Sequence, residues 1–335
     1  MRNMKWPNSK HELAQPSPMP RTTLTTTSTG LDDRLYPMRL WAKAKQLGTW
    51  DPAAIDFGQD LADWQALAAD ERDLLLRLTA QFQGGEESVT SDLLPLLQTM
   101  AEQGRIEDEM FLTAYLWEEA KHVEGFHRFL REVVGTTDDL DHYLTPAYRQ
   151  LFCKALPAAM DRLRTDASPE ALAAAGVTYQ MIVEGVLAET GYAAYYAVLE
   201  THAILPGMQN LVRFIQRDEA RHVAYGVYLL SRLVAEHGDA AWDTIEARMN
   251  ALLPVVLQHI EETLNPYGEH VPFGVSADDF LTIGMQQFEK RFSRIQAARS
   301  QSLDEVLYGH HASSKGNAKE QPASAKATLP PDLEQ

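Results

Sequence analysis

A short pattern of glutamate and histidine occurs twice in the chain, and it limits how the sequence can fold. Glu119-Ala120-Lys121-His122 is followed 100 residues later by Glu219-Ala220-Arg221-His222. On an α-helix, residues three positions apart lie on the same face, so each pattern can present a carboxylate and an imidazole together. The sequence therefore predicts that each pattern lies on a helix and that its two side chains can bind one metal ion.

Each pattern is preceded by another glutamate at nearly the same distance. Glu86 lies 33 residues before Glu119, and Glu184 lies 35 residues before Glu219. Two helices with one glutamate each and two with Glu-x-x-His form the ligand set of ferritin-like dimetal carboxylate bundles. Four carboxylates and two neutral imidazoles balance most of the charge of two divalent ions and leave coordination positions open. The predicted metal ligands are Glu86, Glu119, His122, Glu184, Glu219 and His222.

Helical phase favours Glu86 over Glu87, because Glu86 falls within an apolar stripe that recurs every three or four residues, whereas Glu87 points elsewhere and is expected to be solvated. An acidic residue in such a stripe needs compensation, which a metal ion provides. For the second half, Glu189 lies close enough to Glu184 to remain an alternative. A structural alternative also remains, in which Glu86 and Glu184 are half-buried ion-pair partners of Lys121 or Arg221.

A third Glu-x-x-His pair, Glu124 and His127, shows how little a single match means. About one such match is expected by chance in a chain with this many glutamates and histidines. The pair begins five residues after Glu119, which rotates it well away from the face of Glu119 and His122. We predict that this third pair lies on the surface.

Between its ends the chain shows helical periodicity almost throughout, without convincing alternating runs of β-branched residues. Several predicted helices exceed 25 residues, which is typical of bundles. We predict an all-α protein with a ferritin-like four-helix bundle core and additional helices. The expected helices lie near 32–47, 59–66, 69–103, 106–134, 141–165, 168–203, 207–237, 239–264 and 276–297.

Composition divides the chain into three parts. Residues 1–30 are rich in Pro, Ser and Thr and are predicted to form a flexible N-terminal arm. Residues 31–300 are predicted to form the ferritin-like dimetal helical domain. Residues 313–335 are small, polar and free of aromatic side chains, which predicts a disordered C-terminal tail.

Charge and cysteine content exclude several classes of function. A net charge of −17 argues against nucleic acid or an anionic membrane as the main partner. The single cysteine, Cys153, excludes an internal disulfide and a thiolate metal cluster, so oxygen and nitrogen must hold any metal. No stretch approaches the roughly 20 uninterrupted apolar residues of a membrane span, and we expect a cytoplasmic protein.

With these residues in place, the chain resembles the small, dimetal subunit of class I ribonucleotide reductases. In that family a tryptophan, an aspartate and the first histidine ligand form an electron route, which the resemblance assigns to Trp50, Asp218 and His122. On sequence alone Trp50 can equally be an ordinary core tryptophan. Besides the six predicted ligands, the match from about residue 35 to residue 222 includes Trp50-Asp51-Pro52, Ile55-Asp56-Phe57 and Arg217-Asp218-Glu219.

Two departures point away from a radical-generating reductase subunit. Many such subunits carry their radical tyrosine four residues after the first histidine, where this chain has Phe126. Some reductases lack that tyrosine and use a manganese/iron pair. Reductase subunits also engage their partner through a C-terminal tail with aromatic anchors, whereas this chain has no Phe, Trp or Tyr after Tyr308.

The sequence is more similar to a branch of that family, the ligand-binding oxidases with a manganese/iron site. The similarity rests on Val89, three residues after Glu86, and on Tyr179, five residues before Glu184. It implies an ether cross-link between Val89 Cβ and the Tyr179 phenolic oxygen, formed when the reduced metals react with dioxygen, and a long-chain fatty acid beside the metals. The alternative is that Val89 is core packing and Tyr179 an ordinary hydrogen-bonded phenol.

The sequence thus predicts an oxidase that binds one manganese and one iron ion, or two iron ions, and oxidises a C–H bond with dioxygen. The resemblance also implies a homodimer. Two other functions remain open: a radical-generating small subunit of a class I ribonucleotide reductase, and a ferritin-like protein that stores iron or scavenges oxygen. Ferritins are usually shorter and assemble into cages, which fits the extra helices poorly.

Overall fold

The computed structural model describes residues 24–135 and 139–309, and in these residues it contains helices and turns but no β-strand. The prediction of an all-α, ferritin-like bundle is confirmed. Residues 1–23 of the predicted arm and the predicted tail at 313–335 lie outside the described residues. Residues 24–31, which include one four-residue helix, belong to a separate N-terminal unit.

The α-helices are numbered in chain order. They are α1 (Thr25–Ser28), α2 (Tyr36–Leu47), α3 (Gly58–Ala66), α4 (Ala69–Asp92), α5 (Leu94–Glu102), α6 (Ile106–Phe129), α7 (Pro146–Gln150), α8 (Leu156–Arg162), α9 (Pro169–Gly176), α10 (Glu189–Leu199), α11 (Pro206–His237), α12 (Asp239–Leu264), α13 (Ala277–Ala297) and α14 (Leu303–Tyr308).

Four long helical segments form the core that positions the candidate site. They are α4, α6, α11 and the continuous segment from α9 to α10, and each buries an apolar face against its neighbours. Helices α12 and α13 pack against the outside of that fourth segment and against each other. These are the additional helices that the sequence predicted.

The predicted helix at 69–103 is two helices in the structure. The break falls at Leu93, because Pro95 lies near the start of α5 and lacks the N–H that would continue the hydrogen bonding of α4. The predicted helix at 141–165 is also interrupted. It begins with a 3₁₀ turn and contains a π-helical stretch between α7 and α8.

A π-helical stretch of 12 residues, Val177–Ala188, joins α9 to α10. Such widened turns are rare and often occur at functional sites, because they change the direction in which side chains project. This stretch carries both Tyr179 and Glu184, and all but its last two residues are buried. The local sequence gave no signal for it.

The segment Pro169–Leu199 is long and apolar enough to span a membrane by length and composition, with a mean hydropathy of 1.4. However, 83% of its most apolar window is buried inside the protein. The same property is typical of the central helix of a large bundle. Its apolar character is accounted for by packing against α11, α12 and α13.

Candidate metal centre

The structure brings the six predicted ligands together at the centre of the bundle. Glu86 comes from α4, Glu184 from the π-helical stretch, and the two Glu-x-x-His pairs come from α6 and α11. Two sets of four residues each place their ligand atoms within 4.8 Å of one another. Glu119 and Glu219 belong to both sets, so their carboxylates lie between the two positions. The sets are Glu86, Glu119, His122 and Glu219, and Glu119, Glu184, Glu219 and His222.

The ligand side chains are buried and several of their polar atoms have no hydrogen-bond partner. None of the six residues is more than 5% exposed. Among the described residues, both oxygens of Glu119, one oxygen each of Glu184 and Glu219, and Nδ1 of both histidines lack a hydrogen-bond partner. A buried polar atom without a partner costs about 1–3 kcal/mol. Divalent cations satisfy this donor set, and so the residues fit a dimetal site.

Both imidazoles direct Nδ1 towards the carboxylates. His122 Nδ1 lies 3.4 Å from oxygens of both Glu86 and Glu219, and His222 Nδ1 lies 3.1 Å from Glu119 Oε1. Distances of this size between ligand atoms leave room for an ion between them. The geometry makes Nδ1 the metal-binding nitrogen of each histidine.

The other ring nitrogen of each histidine faces a second carboxylate. His122 Nε2 lies 3.5 Å from Asp218 Oδ2, and His222 Nε2 lies 2.9 Å from Glu118 Oε2. The His222 contact is a hydrogen bond, which holds the proton on Nε2, orients the ring and leaves the Nδ1 lone pair free for a metal. The longer His122 contact places Asp218 where it can do the same. The arrangement is that of a metal site with its outer carboxylates already in place.

Crowding of the carboxylates shifts their proton affinities. Burial raises the pKa of Glu86 to about 8. Burial acts in the same direction on Glu119, but the adjacent imidazoles of His122 and His222 outweigh it and hold the pKa of Glu119 at about 2. Although burial disfavours the charged imidazole, the nearby carboxylates raise the pKa of both histidines well above the ordinary value. The centre is built to hold positive charge.

The alternative of ion pairs at the predicted ligands is not supported. Lys121 Nζ lies 3.0 Å from Asp218, and Arg221 contacts both Glu118, at 2.5 Å, and Asp218, at 2.6 Å. In the part of the chain that the structure describes, neither Glu86 nor Glu184 pairs with a lysine or arginine. The two cations neutralise the outer carboxylates instead.

Glu189, the alternative to Glu184, lies outside the centre. Its carboxylate pairs with Arg291 of α13 at 3.3 Å and accepts a hydrogen bond from Gln216. Glu184 is 3% exposed and takes part in the second ligand set. The structure thus favours Glu184.

Three acidic or histidine residues that the sequence placed outside the site are exposed. Glu87 projects into solvent while Glu86, its neighbour, is buried. Glu124 and His127 of the third Glu-x-x-His pair also lie on the exposed face of α6. Helical phase had separated these residues from the ligands correctly.

Trp50 lies beside the first histidine ligand. Its indole N–H donates a 2.7 Å hydrogen bond to Asp218 Oδ2, and its ring stacks 6.2 Å from that of His122. On the other face the indole stacks on Phe214 at 5.2 Å. The ammonium of Lys121 lies 4.3 Å from the indole centroid. The predicted trio of Trp50, Asp218 and His122 is therefore in contact.

Val89 and Tyr179 are also brought together. The Tyr179 hydroxyl donates a 2.9 Å hydrogen bond to the backbone carbonyl of Val89, and both residues are buried. Phe126, at the position of the radical tyrosine in many reductase subunits, packs against the ring of Phe82 at 5.3 Å. The phenol that is hydrogen-bonded to Val89 in the structure is thus the one that the resemblance indicated.

Two residues of the centre were missed by the sequence analysis. The Tyr115 hydroxyl donates a hydrogen bond to Glu184, and its ring stacks on His222 at 3.6 Å. The Glu118 carboxylate is hydrogen-bonded to Nε2 of His222, the ring nitrogen that does not face the other predicted ligands. Tyr115 precedes Glu119 by four residues and so shares its helix face, a spacing that a search one turn before each ligand would have found.

An apolar cavity reaches the centre from one side. Glu86, Glu184 and Glu219 contribute to its lining, together with Val89 and Tyr192. The rest of the lining is mostly Leu, Val, Phe and Ala from α4, α10 and α12. A cavity with this lining suits an elongated apolar molecule.

Comparisons with known proteins agree with this geometry. The family described as ribonucleotide reductase, small chain, matches residues 38–279. The R2-like ligand-binding oxidase from Sulfolobus acidocaldarius is 36% identical, with a TM-score of 0.79, over 85% of this chain and 98% of that one. An R2-like ligand-binding oxidase with aerobically reconstituted Mn/Fe cofactor is 34% identical, with a TM-score of 0.80, over 82% and 98%.

Further solved structures of R2-like ligand-binding oxidases with a Mn/Fe cofactor are variants at one valine or one tyrosine. These two positions have the same separation in sequence as Val89 and Tyr179, 90 residues. The match covers most of the chain, and the identity exceeds 30% over nearly the whole length of the related structures. The chain therefore belongs to the ribonucleotide reductase small-chain family.

Proposed function

We propose that this chain is a dioxygen-activating oxidase with a manganese/iron centre and an apolar ligand beside it. One observation carries the proposal: the two overlapping ligand sets open onto the cavity whose wall contains Val89, and the Tyr179 hydroxyl contacts that same residue. A storage site needs no such cavity. A reductase subunit needs no contact between these two residues.

In this proposal Glu86, Glu119, His122 and Glu219 hold one ion, and Glu119, Glu184, Glu219 and His222 hold the other. Manganese and iron are supported by the related oxidases, and a donor set of oxygen and nitrogen also accepts two iron ions. When bound, the divalent pair supplies two of the four electrons that reduce dioxygen to water and the oxidising power to remove the other two from a C–H bond.

The protein's own residues prepare that chemistry. Asp218 and Glu118 fix the imidazole tautomers, and Tyr115 holds one oxygen of Glu184. The buried walls exclude water from the centre, which keeps an oxidising equivalent from being lost to solvent. These contacts position the ligands before any substrate arrives.

We propose that the cavity binds a long-chain fatty acid or a similar molecule, with its head group beside Glu86, Glu184 and Glu219. The lining along α4 extends from Glu86 to Leu74, 12 residues away, which corresponds to roughly 18 Å of helix. That length and the apolar lining suit an alkyl chain, while the metal ions can bind a carboxylate head.

The proposed cross-link joins Val89 Cβ to the Tyr179 phenolic oxygen. Formation of the C–O bond removes one hydrogen from the tertiary carbon and one from the hydroxyl, and the two electrons go to dioxygen. The phenol is already held at the Val89 carbonyl, which brings its oxygen to the correct residue. Tyr179 is fully buried, and burial raises its pKa well above the ordinary value, so its hydroxyl is protonated before the reaction.

We further propose that electrons enter through Trp50, Asp218 and His122. The indole and the imidazole share Asp218, and Trp50 is the member of the trio that is partly exposed. The oxidised centre needs two electrons from outside for each further turnover. A one-electron carrier of the cell would supply them at this side of the bundle.

The assembly is proposed to be a cytoplasmic homodimer, as the family resemblance implies. Light scattering on the purified protein tests the dimer. A cage of many subunits would favour iron storage instead.

The decisive experiment is mass spectrometry on protein loaded with Mn²⁺ and Fe²⁺ without oxygen, measured before and after air is admitted. We expect the loss of two hydrogens, mapped to linked peptides that contain Val89 and Tyr179. Tyr179→Phe serves as the control and should bind both metals without the mass change. An unchanged mass in the wild-type chain with two bound metals would instead favour a radical-generating reductase subunit.

A further inference from the structure

One side chain in the wall of the apolar cavity is polar and buried, but only one of its two ring nitrogens has a hydrogen-bond partner among the described residues. His259 of α12 lines the cavity and is 6% exposed. Its Nδ1 lies 3.0 Å from Thr145 Oγ1, whereas Nε2 has no hydrogen-bond partner among the described residues. Its ring packs near that of Tyr148, another cavity residue, at 5.6 Å. A buried polar atom in such a wall costs free energy unless it is hydrogen-bonded, and a bound molecule can supply that bond.

One hydrogen bond from the protein orients the His259 ring. Thr145 Oγ1 accepts the backbone N–H of Tyr148 at 3.1 Å, and it shares one hydrogen with His259 Nδ1, which either atom can donate. Burial lowers the pKa of His259 to about 4, so the ring is neutral near pH 7. Nε2 therefore accepts a hydrogen bond when Nδ1 carries the proton, and donates one when it carries the proton itself. A hydroxyl group on a bound molecule can pair with Nε2 in either tautomer, because a hydroxyl both donates and accepts.

The polar neighbours of His259 do not bind its Nε2. Gln81 Nε2 donates to the Tyr143 carbonyl and to Thr263 Oγ1, both at 3.2 Å. Thr263 Oγ1 in turn donates to the His259 carbonyl at 2.9 Å. Both side chains line the cavity, but each is satisfied within the protein. Nε2 of His259 is left for a hydrogen-bonding group on the bound molecule.

The position of the His259 ring along the cavity follows from its contact with Tyr148. The two ring centroids lie 5.6 Å apart, and the Tyr148 hydroxyl donates to the carbonyl of Gln81, which lies five residues before Glu86 on α4, or about 7.5 Å along the helix axis. The lining continues past Gln81 to Leu74. His259 thus lies beside the middle of an elongated ligand and at neither of its ends.

We propose that the cavity selects an acyl chain that carries a hydroxyl group part-way along its length, with His259 Nε2 hydrogen-bonded to that hydroxyl. The inference rests on the proposed function, because it assumes a long-chain ligand with its head at the metal centre. It adds the class of that ligand: a hydroxylated long-chain acid rather than a simple fatty acid. His259 is a specificity-determining residue in this proposal and takes no part in the oxidation.

The test is equilibrium binding of octadecanoic acid and of a series of hydroxyoctadecanoic acids in which the hydroxyl moves along the chain. Binding is measured by isothermal titration calorimetry and native mass spectrometry on the metal-loaded protein kept without oxygen, so no turnover is involved. One mid-chain hydroxyl position should bind about tenfold more tightly than the unsubstituted acid, as expected for one buried hydrogen bond.

Two variants separate the contact at Nε2 from the fold. His259→Asn keeps a polar group towards Thr145 but is too short to replace Nε2 in the cavity wall, and the tenfold preference should disappear. His259→Gln keeps a donor and an acceptor near the position of Nε2, and most of the preference should remain. Circular dichroism and the metal content check that both variants fold.

The outcomes distinguish the two levels of the proposal. Tight binding of octadecanoic acid with no gain from any hydroxyl position would overturn the role of His259 and leave the proposed oxidase intact. A preference that persists unchanged in His259→Asn would likewise overturn it. If neither kind of acid binds, the proposed ligand class fails together with this inference.

Discussion

The two halves of the centre use the same ligand pattern but surround their histidines differently. His122 Nε2 faces Asp218, which also accepts a hydrogen bond from the partly exposed Trp50. His222 Nε2 faces Glu118, which is fully buried. One imidazole is therefore connected towards the protein surface, while the other ends in the interior. The repeated Glu-x-x-His pattern determines the predicted metal ligands. The outer carboxylates determine whether each histidine is connected to the protein surface.

The two outer carboxylates are nevertheless coupled. Arg221 Nη2 contacts both Glu118 and Asp218, and Lys121 adds a second cation at Asp218 only. Asp218 thus holds two buried cations, the Trp50 indole and the His122 ring. The difference between the halves indicates that Asp218 makes more stabilising contacts than Glu118. The following predictions test this difference.

The largest effect is expected from the carboxylates that the halves share. Glu119→Gln or Glu219→Gln removes a ligand from both sets, so both ions should be lost. Glu86→Gln or Glu184→Gln removes a ligand from one set, and about one ion per chain should remain. Metal content after gel filtration, measured by inductively coupled plasma mass spectrometry, checks this. Equal losses of metal in all four variants would show that Glu119 and Glu219 are not shared between the two ions.

A smaller effect separates the outer carboxylates. Asp218→Asn leaves Lys121 and Arg221 short of negative charge in a buried site, which should cost about 3–5 kcal/mol of unfolding free energy. Glu118→Gln leaves Arg221 paired with Asp218 and should cost less. Both variants should weaken metal binding by about 10–100-fold. Urea unfolding of the metal-free variants supplies the comparison, and the opposite order of stability would contradict it.

Much of the centre was predictable because its chemistry is periodic. The spacing of Glu119 and His122, repeated at Glu219 and His222, fixes a helix face without any knowledge of tertiary structure. Glu86 followed from its place in an apolar stripe, where only compensation makes a carboxylate tolerable. The ligand set and the bundle could therefore be predicted together.

The parts that the sequence did not reveal depend on contacts between distant segments. Glu118 appears in the sequence as one more charge beside a ligand, and only the approach of α11 makes it the partner of His222. The π-helical stretch that carries Glu184 has no local signature, since its apolar residues are compatible with an ordinary helix. His259 lies on α12, which the sequence predicted as a helix without locating it relative to the core bundle, so its position in the cavity wall required the packed structure.

Trp50→Phe tests the connection between His122 and the protein surface. Phenylalanine keeps the stacking on Phe214 but cannot donate to Asp218, so reduction of the oxidised centre should slow several-fold while both metals remain bound. Trp64→Phe is a matched control, because Trp64 is buried and packs on Phe129 away from the ligands. Stopped-flow absorbance with a reduced viologen measures the rate. Equal rates in wild type and Trp50→Phe would remove Trp50 from the electron route.

The smallest expected effect tests whether the ligand pattern acts through its position rather than its composition. Glu124 and His127 have the same spacing as the two ligand pairs but lie exposed on α6. The double change Glu124→Gln and His127→Asn should leave the metal content unchanged and alter stability by less than about 0.5 kcal/mol, as is usual for surface substitutions. If this variant lost an ion, spacing alone would not distinguish ligands from surface residues. The comparison of the two halves would then have to include a third site on the same helix.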